Sequence, residues 1–512
     1  MSNKSMMRST GVIGFATALS RVLGFIRDIV FANFFGTSMI AQAFVVAFRI
    51  PNTLRDLVGE GAMNSAIVPV LSEYKALGDE KEFVRASRVL FNISLATLSV
   101  LTVLGIIFSP VIVRVMAPGF MADPEKFQMT VMLNRMMFPY LIVIGLTAYS
   151  MGILNSLKHF AAPAFGPCLM NLLLIVSTVW LYPRIGVMGL AIGVLAGGAV
   201  QLALNMPFMY GHGISIRLKD GFRHPAVKRI GKLLMPRALG SAVYQINIFV
   251  DTILASLSSV VGAGGVAALY YANRLIQFPL AIFGLALAQA ALPKMSREFA
   301  SNDIEQMKGT LSFSLRTVFL IMTPASFALA VLGLPIIRIL FQRGAFTAYS
   351  TSITESALFF YSFGLLSYGG IKLLVTAFYS MHDTRTPVKT AFAAVLINIT
   401  FSLILMWPMK LGGLALATSI SASFNFITLY ILLRNKLGDF GTKAIIDSFL
   451  RVLAASLVMT AVLKALSIML AHLGPVGLCV TIASGMISFL AVGYIIGVKE
   501  IRGFSTWISE RR

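Results

Sequence analysis

Apolar stretches of about 20 residues recur along this chain from Gly11 to Gly497, and about 20 residues is the length at which an α-helix crosses the hydrocarbon of a bilayer. Of the 512 residues, 57% are hydrophobic and 12% are charged, against roughly 25% charged in a soluble domain. The mean hydropathy is +0.84. Such a chain cannot hide its apolar surface by folding on itself, so it reads as an all-α, polytopic membrane protein. Fourteen spans are expected, at roughly 10–34, 40–70, 88–116, 128–156, 162–183, 187–210, 233–258, 264–292, 312–341, 352–380, 388–408, 412–433, 446–472 and 475–497.

The net charge of +22 would suggest nucleic acid in a soluble chain. Mapped onto the spans it says something else. Alternate connections hold twenty-five Lys and Arg, among them Lys75, Arg88, Lys158, Arg223, Lys228, Arg229, Lys294, Arg385 and Lys436. The other connections hold only Lys126, Arg184, Arg343 and Lys410. The positive-inside rule then places both termini in the cytoplasm. No cleavable signal peptide is expected, because the first apolar segment carries Arg21, Arg27 and Asp28. Cys168 and Cys479 lie in separate apolar segments and imply no disulfide framework. No Cys/His metal cluster, phosphate-binding glycine loop or nucleophile with a base stands out, so nothing argues for an enzyme.

The chain also repeats itself at an offset of about 224 residues. Asn155-Ser156 through Pro163 aligns with Tyr379-Ser380 through Pro387, and Gly189-Leu190-Ala191 aligns with Gly413-Leu414-Ala415. Ala66 to Glu73 echoes Ala290 to Glu298, and Pro110 with Arg114 echoes Pro335 with Arg338. A repeat this long in an apolar chain marks a two-lobed transporter whose lobes rock about a central site. The expected organisation is an N-lobe of six helices over 1–212 and a basic amphipathic linker on the cytoplasmic membrane face over 213–232. A pseudo-symmetric six-helix C-lobe follows over 233–437, then two extra C-terminal helices and a tail over 438–512.

An ionisable side chain at mid-membrane costs about 2.5–3.5 kcal/mol on insertion scales. The first two spans nonetheless carry Arg21, Arg27, Asp28, Arg49, Arg55, Asp56 and Glu60. A lone example reads equally well as a snorkelling end residue or a structural ion pair, and Arg135, Arg237 and Lys372 fit that description. Four arginines in two spans do not. Arg21 and Arg27 flank Gly24, and Arg49 and Arg55 flank Pro51, where a helix can bend. Ala47-Phe48-Arg49 is related to Ala272-Asn273-Arg274 by nearly the same offset, so cations can face a central cavity from both lobes. Guanidinium groups there favour an anionic ligand, phosphate or carboxylate. A drug exporter for organic cations would need the opposite lining. Asp251, Asn398, Ser402 and Thr418 could together offer oxygens to Na⁺; in membrane helices such hydroxyls more often bond backbone carbonyls.

Ser20-Arg21-Val22-Leu23-Gly24-Phe25-Ile26-Arg27-Asp28, Phe48-Arg49-Ile50-Pro51-Asn52 with Leu54-Arg55, and Gly59-Glu60-Gly61-Ala62 form a specific set. So do Tyr270-Tyr271-Ala272-Asn273-Arg274-Leu275, Phe278-Pro279, Phe341-Gln342-Arg343-Gly344-Ala345-Phe346 and Thr386-Pro387-Val388-Lys389. With these stretches the chain resembles the MurJ/MviN-type lipid II flippases of the MOP exporter superfamily, over essentially its whole length. The resemblance implies transfer of the undecaprenyl-diphosphate-linked peptidoglycan precursor, lipid II, to the outer leaflet of the bacterial inner membrane. It implies a diphosphate-binding role for Arg21, Arg27, Arg55 and Arg274; Arg49 is not at one of those positions but is picked out by the internal repeat and ranks second, and Glu60 is a further candidate of the site. It also implies that the two extra helices form a groove for the lipid tail. The family usually carries acids where this chain has Gln42, Asn273 and Gln277. Amides keep hydrogen bonding but not charge, so the substrate site should be more cationic than usual, with Asp28, Asp56 and Glu60 left to balance it.

The expected mechanism is alternating access, with the return step driven by Na⁺ or by the membrane potential. Other cell-wall synthesis proteins are candidate partners, and nucleic acid is not. The rivals are an exporter of another polyprenyl-linked saccharide, a MATE-type drug antiporter, and a non-transporting scaffold for cell-wall synthesis.

Overall fold

The computed structural model of the chain describes residues 3–55, 62–157, 159–214 and 221–502, with side chains outside 3–10, 13, 54–55, 62–65 and 235–244. Among the described residues every regular element is a helix. Contacts divide the chain into two compact units, Met1–Leu257 and Ser258–Arg512.

The first unit contains α1 (Asn3–Phe35), α2 (Met39–Arg55), α3 (Ala62–Ala76), α4 (Glu80–Ile107), α5 (Ser109–Met116), α6 (Pro124–Met137), α7 (Tyr140–Ser156), α8 (Ala161–Val176), α9 (Tyr182–Ile185), α10 (Val187–Gly211) and α11 (Pro225–Ser256). The expected span at 88–116 begins earlier, at Glu80, where Asp79 caps the helix by accepting from Glu82 N. It breaks at Phe108, two residues before Pro110. Leu71, Phe91, Leu141, Tyr149 and Ile230 belong to one core and Ala47, Leu133, Tyr140, Met170 and Val194 to another.

Helix α11, expected to open the second lobe, packs on α3 in this unit. Polar contacts tie its approach to α3 and α4. Arg88 donates to Gly213 O at 2.7 Å, Asn92 donates to Gly221 O at 3.1 Å, and His224 Nε2 meets Glu82 Oε2 at 2.9 Å. Arg229 bridges Glu73 at 2.7 and 3.3 Å, and its hydrogen bond holds that carboxyl below the usual range. The helix starts at Pro225, inside the stretch read as a linker. The packing boundary thus lies one helix beyond the repeat boundary.

The second unit contains α12 (Ser258–Val261), α13 (Gly265–Pro279), α14 (Leu285–Ala300), α15 (Ile304–Leu340), α16 (Ala348–Ser362), α17 (Leu365–Ser380), α18 (Arg385–Leu437), α19 (Thr442–Met469) and α20 (Gly474–Ile496). The 53 residues of α18 are two arms meeting at Lys410, which corresponds to the two expected spans there. Leu332, Val452, Met459 and Phe489 join α15, α19 and α20. Arg316 pairs with Glu500 at 2.7 Å, and Ser448 Oγ donates to the same carboxylate at 3.1 Å. Arg451 donates to the carbonyls of Ile496 and Gly497, both at 3.1 Å, closing the end of α20.

Among the described residues nine helices are long and apolar enough to cross a membrane, and α16 with α17, bent by 47°, make a tenth candidate. The internal repeat is visible in the turns. Gly78 and Asn302 both have left-handed φ, 73° and 59°. Each is followed by an Asp, Asp79 or Asp303, whose carboxylate accepts from the third residue onward, Glu82 or Gln306. Gly186 (φ 63°, ψ −148°) corresponds to Lys410 (φ 50°, ψ −128°). Three residues later, Gly189 and Gly413 lie against the backbone at the end of the preceding helix, where a Cβ would collide. These are four correspondences at one offset of 224, in backbone geometry that hydrophobic resemblance alone would not produce.

Candidate substrate-binding site

In the first unit the best-defined arginine is Arg27 on α1. Its Nε and Nη2 donate to Asp28 Oδ1 at 3.1 and 2.7 Å, and its Nη1 donates to Asn171 Oδ1 of α8 at 3.0 Å. Asp28 is buried and Arg27 nearly so. Asn171 Nδ2 donates back to Ser20 O at 3.1 Å and lies near Ser20 Oγ at 3.5 Å. Arg21, six residues before Arg27, is exposed.

Arg49 donates to Thr252 Oγ1, and Thr53 Oγ1 donates to Gln245 Oε1 at 3.4 Å. These contacts join α2 to α11. Arg55 ends α2, but its side chain and all of Glu60 lie outside the described residues.

Gln42, read as an uncharged substitute for a site acid, is 4% exposed. Its amide donates to the carbonyls of Thr37 at 3.3 Å and Ser38 at 3.5 Å. Its Oε1 accepts from Lys126 Nζ at 3.1 Å, and that ammonium also sits 3.9 Å from the centroid of the Phe120 ring. Gln42 therefore joins the start of α2 to the start of α6. No sequence signal marks this partner: Lys126 stands out only as one of few cations on its side.

In the second unit Arg274 Nη2 donates to Tyr270 Oη at 3.1 Å, with the guanidinium 5.0 Å from the Tyr270 ring centroid. Gln277 Nε2 donates to Asn273 Oδ1 at 2.6 Å. All four residues lie on α13, just before a π-helical turn at Leu280–Gly284. Such turns occur preferentially at functional sites.

The oxygens offered to Na⁺ are arranged differently from an open site. Ser402 Oγ donates to Asn398 Oδ1 at 3.0 Å, Asn398 Nδ2 to Thr418 Oγ1 at 3.1 Å, and Thr418 Oγ1 to Leu414 O at 3.0 Å. The chain links the two arms of α18, while Asp251 belongs to α11 of the first unit. A cation bound by these three residues would have to displace some of these bonds. Among the described residues no three His, Cys, Asp or Glu side chains gather as a metal cluster.

The fold is shared with solved transporters of the MOP superfamily. An inward-facing multidrug MATE transporter of that superfamily aligns with a TM-score of 0.72 over 82% of this chain and 96% of its own, at 17% identity. A lipid II flippase MurJ in an inward closed conformation aligns with a TM-score of 0.80 over 96% of this chain and 99% of its own, at 27% identity. The family model described as lipid II flippase MurJ matches residues 31–484. A probable lipid II flippase MurJ of Vibrio cholerae is 37% identical over 84% of this chain and 83% of its own. The lipid II flippase MurJ of Burkholderia cenocepacia is 33% identical, covering 83% of each chain. The chain belongs to the lipid II flippase MurJ family, a family of transporters and not of enzymes.

Proposed function

We propose that this chain moves lipid II from the cytoplasmic to the outer leaflet of the bacterial inner membrane by alternating access. The observation that carries the reading is the family match over residues 31–484. The stretch includes two of the four arginines to which the resemblance gives the diphosphate, Arg55 and Arg274, while Arg21 and Arg27 precede it. The guanidinium groups take the diphosphate and sugar headgroup while the polyprenyl tail stays in lipid. Binding shifts the equilibrium between inward- and outward-open forms only by its differential affinity for the two. Charge neutralisation of the arginines by the diphosphate supplies that difference.

The chain crosses the membrane fourteen times with both termini in the cytoplasm, in keeping with twenty-five cations on one set of connections against four on the other. Helices α19 and α20 guide the lipid tail, and their outward apolar residues Ile468, Ile487 and Ile495 support a lipid-facing hairpin. Na⁺ or the membrane potential resets the carrier, and other cell-wall synthesis proteins act beside it.

The test is complementation in bacteria depleted of their own lipid II flippase. The parent should restore growth, and Arg27→Ala and Arg274→Ala, at equal membrane levels, should not. Rescue by both variants would sink the arginine site. Failure of a well-expressed parent would count against lipid II as substrate.

A further inference from the structure

We propose that Asn171 is the positioning residue for Arg27, setting both the direction and the net charge with which that guanidinium meets an anionic headgroup; the inference rests on the reading that Arg27 binds the diphosphate. Helix α8 reads AAPAFGPCLMNLLLIV, with Asn171 its one amide. A buried amide is costly unless hydrogen-bonded, and Asn171 is 8% exposed. Its two ends are used differently. Oδ1 accepts from Arg27 at 3.0 Å, and Nδ2 donates to the Ser20 carbonyl at 3.1 Å. Arginine has no acceptor and a carbonyl no donor, so only this orientation of the amide satisfies both.

Ser20, Gly24 and Arg27 are spaced i, i+4, i+7 and share one face of α1. The amide packs across Gly24, where an added Cβ would make ordinary van der Waals contact with it, 3.4 Å from Asn171 Nδ2. The guanidinium is thereby held at two edges, by the Asp28 carboxylate and by a neutral carbonyl oxygen on another helix.

The neutrality of Asn171 matters. Arg27 and Asp28 together sum to zero, and a carboxylate at 171 would make the group net negative just where a diphosphate has to approach. Of the ionisable groups on α1 and α8, Arg27 bonds Asn171 directly, Asp28 bonds Arg27, Arg21 follows Ser20 in the chain, and Cys168 lies one turn before Asn171, its Sγ meeting Ala16 O at 3.4 Å. Helix α10, also packed on α8, has no Asp, Glu, Lys or Arg. A substitution of Asn171 by Asp therefore carries its own titration to a position that bonds Arg27 directly. When protonated, the new carboxyl reproduces both bonds, its C=O accepting from Arg27 and its O–H donating to Ser20 O. When ionised it cannot donate to Ser20, and it cancels the charge offered to the ligand.

The experiment uses the purified full-length chain in lipid nanodiscs, with lipid II and undecaprenyl diphosphate as probes, over a pH series of about 4 to 8 that spans a carboxyl titration. Affinities are expressed as the ratio of variant to parent at each pH, with melting temperatures as a control for folding. Asn171→Leu should weaken binding about tenfold at every pH, the loss expected for one hydrogen bond to a charged group. Asn171→Asp should bind like the parent at the acid end and at least as weakly as Asn171→Leu at the neutral end. Should Asn171→Leu fail to fold, the pH profile of Asn171→Asp decides alone.

Parent-like binding by Asn171→Asp at every pH overturns the inference, and so does weak binding without pH dependence. If the parent binds neither probe, or Arg27→Gln binds as the parent does, the Arg27 reading falls and this inference with it. If Arg27→Gln loses binding while both Asn171 variants keep it, only the role of Asn171 is refuted.

Discussion

Lys410 offers a clean stability test, because the repeat supplies its control. Its backbone lies at φ 50°, ψ −128°, and its counterpart Gly186 lies at φ 63°, ψ −148°. A residue with a Cβ in such a region costs about 1–3 kcal/mol. The Lys410 side chain is exposed, so Lys410→Gly should sacrifice little packing. The opposing term is the extra freedom that glycine gives the unfolded chain, about 0.4–1 kcal/mol. A helical hairpin unfolded in detergent keeps much of its local structure, which pushes that term toward its lower end. The net gain should be about 1 kcal/mol, or about 2 °C in melting temperature for a unit of this size. The reciprocal change, Gly186→Ala, has no neighbour to strike, since nothing lies within 4 Å of the added Cβ. Any loss then reports backbone strain, and about 1 kcal/mol in the opposite direction is expected. Thermal melts of the purified protein by tryptophan fluorescence or light scattering would measure both. An unchanged or lower melting point for Lys410→Gly, together with a neutral Gly186→Ala, would refute the strain argument.

The Arg316–Glu500 pair invites a double-mutant cycle, because Glu500 is 5% and Arg316 20% exposed. Glu500→Leu or Arg316→Met alone should cost about 3 kcal/mol, and the two together far less, as melting temperatures would register. Burial opposes ionisation of Asp383, but bonds from Lys436 and Thr386 overcome it and hold the carboxyl at about 2. Its stabilising contribution is therefore complete above the unfolded value of 3.8 and drains away as pH falls through about 2. The fall in melting temperature between about pH 5 and 3 should be shallower in Asp383→Asn than in the parent. Gln42→Glu would give Lys126 a charged acceptor, a bond roughly twice as strong, but a carboxylate cannot donate to Thr37 O and Ser38 O as the amide does, so the melting point should fall; a rise would show that the charged pair outweighs the two lost bonds.

The local turn chemistry was written plainly in the chain. Gly189 and Gly413 lined up by identity alone, and the turns at Gly78 and Asn302 follow from residues that tolerate left-handed backbone next to an Asp that can cap. Partners across helices were not legible. Arg27 and Asp28 are adjacent in sequence, but the third member of the group, Asn171, stands 144 residues away as a lone amide among aliphatics. Such an amide in a membrane span is itself a signal, although it does not name its partner. Gln42 and Lys126 stand 84 residues apart, and in the sequence one is an amide in place of an acid and the other a lone cation in a connection. Compactness follows packing and not ancestry, so α11 stands with the first unit although the repeat assigns it to the second.

The amides of α13 bear on what resets the carrier. On α13 itself the residues within about one turn of Arg274 that contact it or each other are Tyr270, Asn273 and Gln277, all neutral. If the membrane potential drives the return step, it acts on charge left uncovered after the diphosphate leaves, at about 2.3 kcal/mol per elementary charge per 100 mV across the full field. A charge that moves through a third of the field would gain about 0.8 kcal/mol per 100 mV, roughly a fourfold change in the equilibrium between the two forms. Asn273→Asp with Gln277→Glu would set two carboxylates beside Arg274 on α13 and lower the local charge by two. In proteoliposomes with an imposed potassium diffusion potential, lipid II transport by the parent should rise steeply with the potential, and transport by the double variant should lose that slope. With Na⁺ as the driver, the parent would instead respond to a sodium gradient at zero potential. A double variant that keeps the parent's voltage slope would show that Arg274 does not carry the charge on which the potential acts.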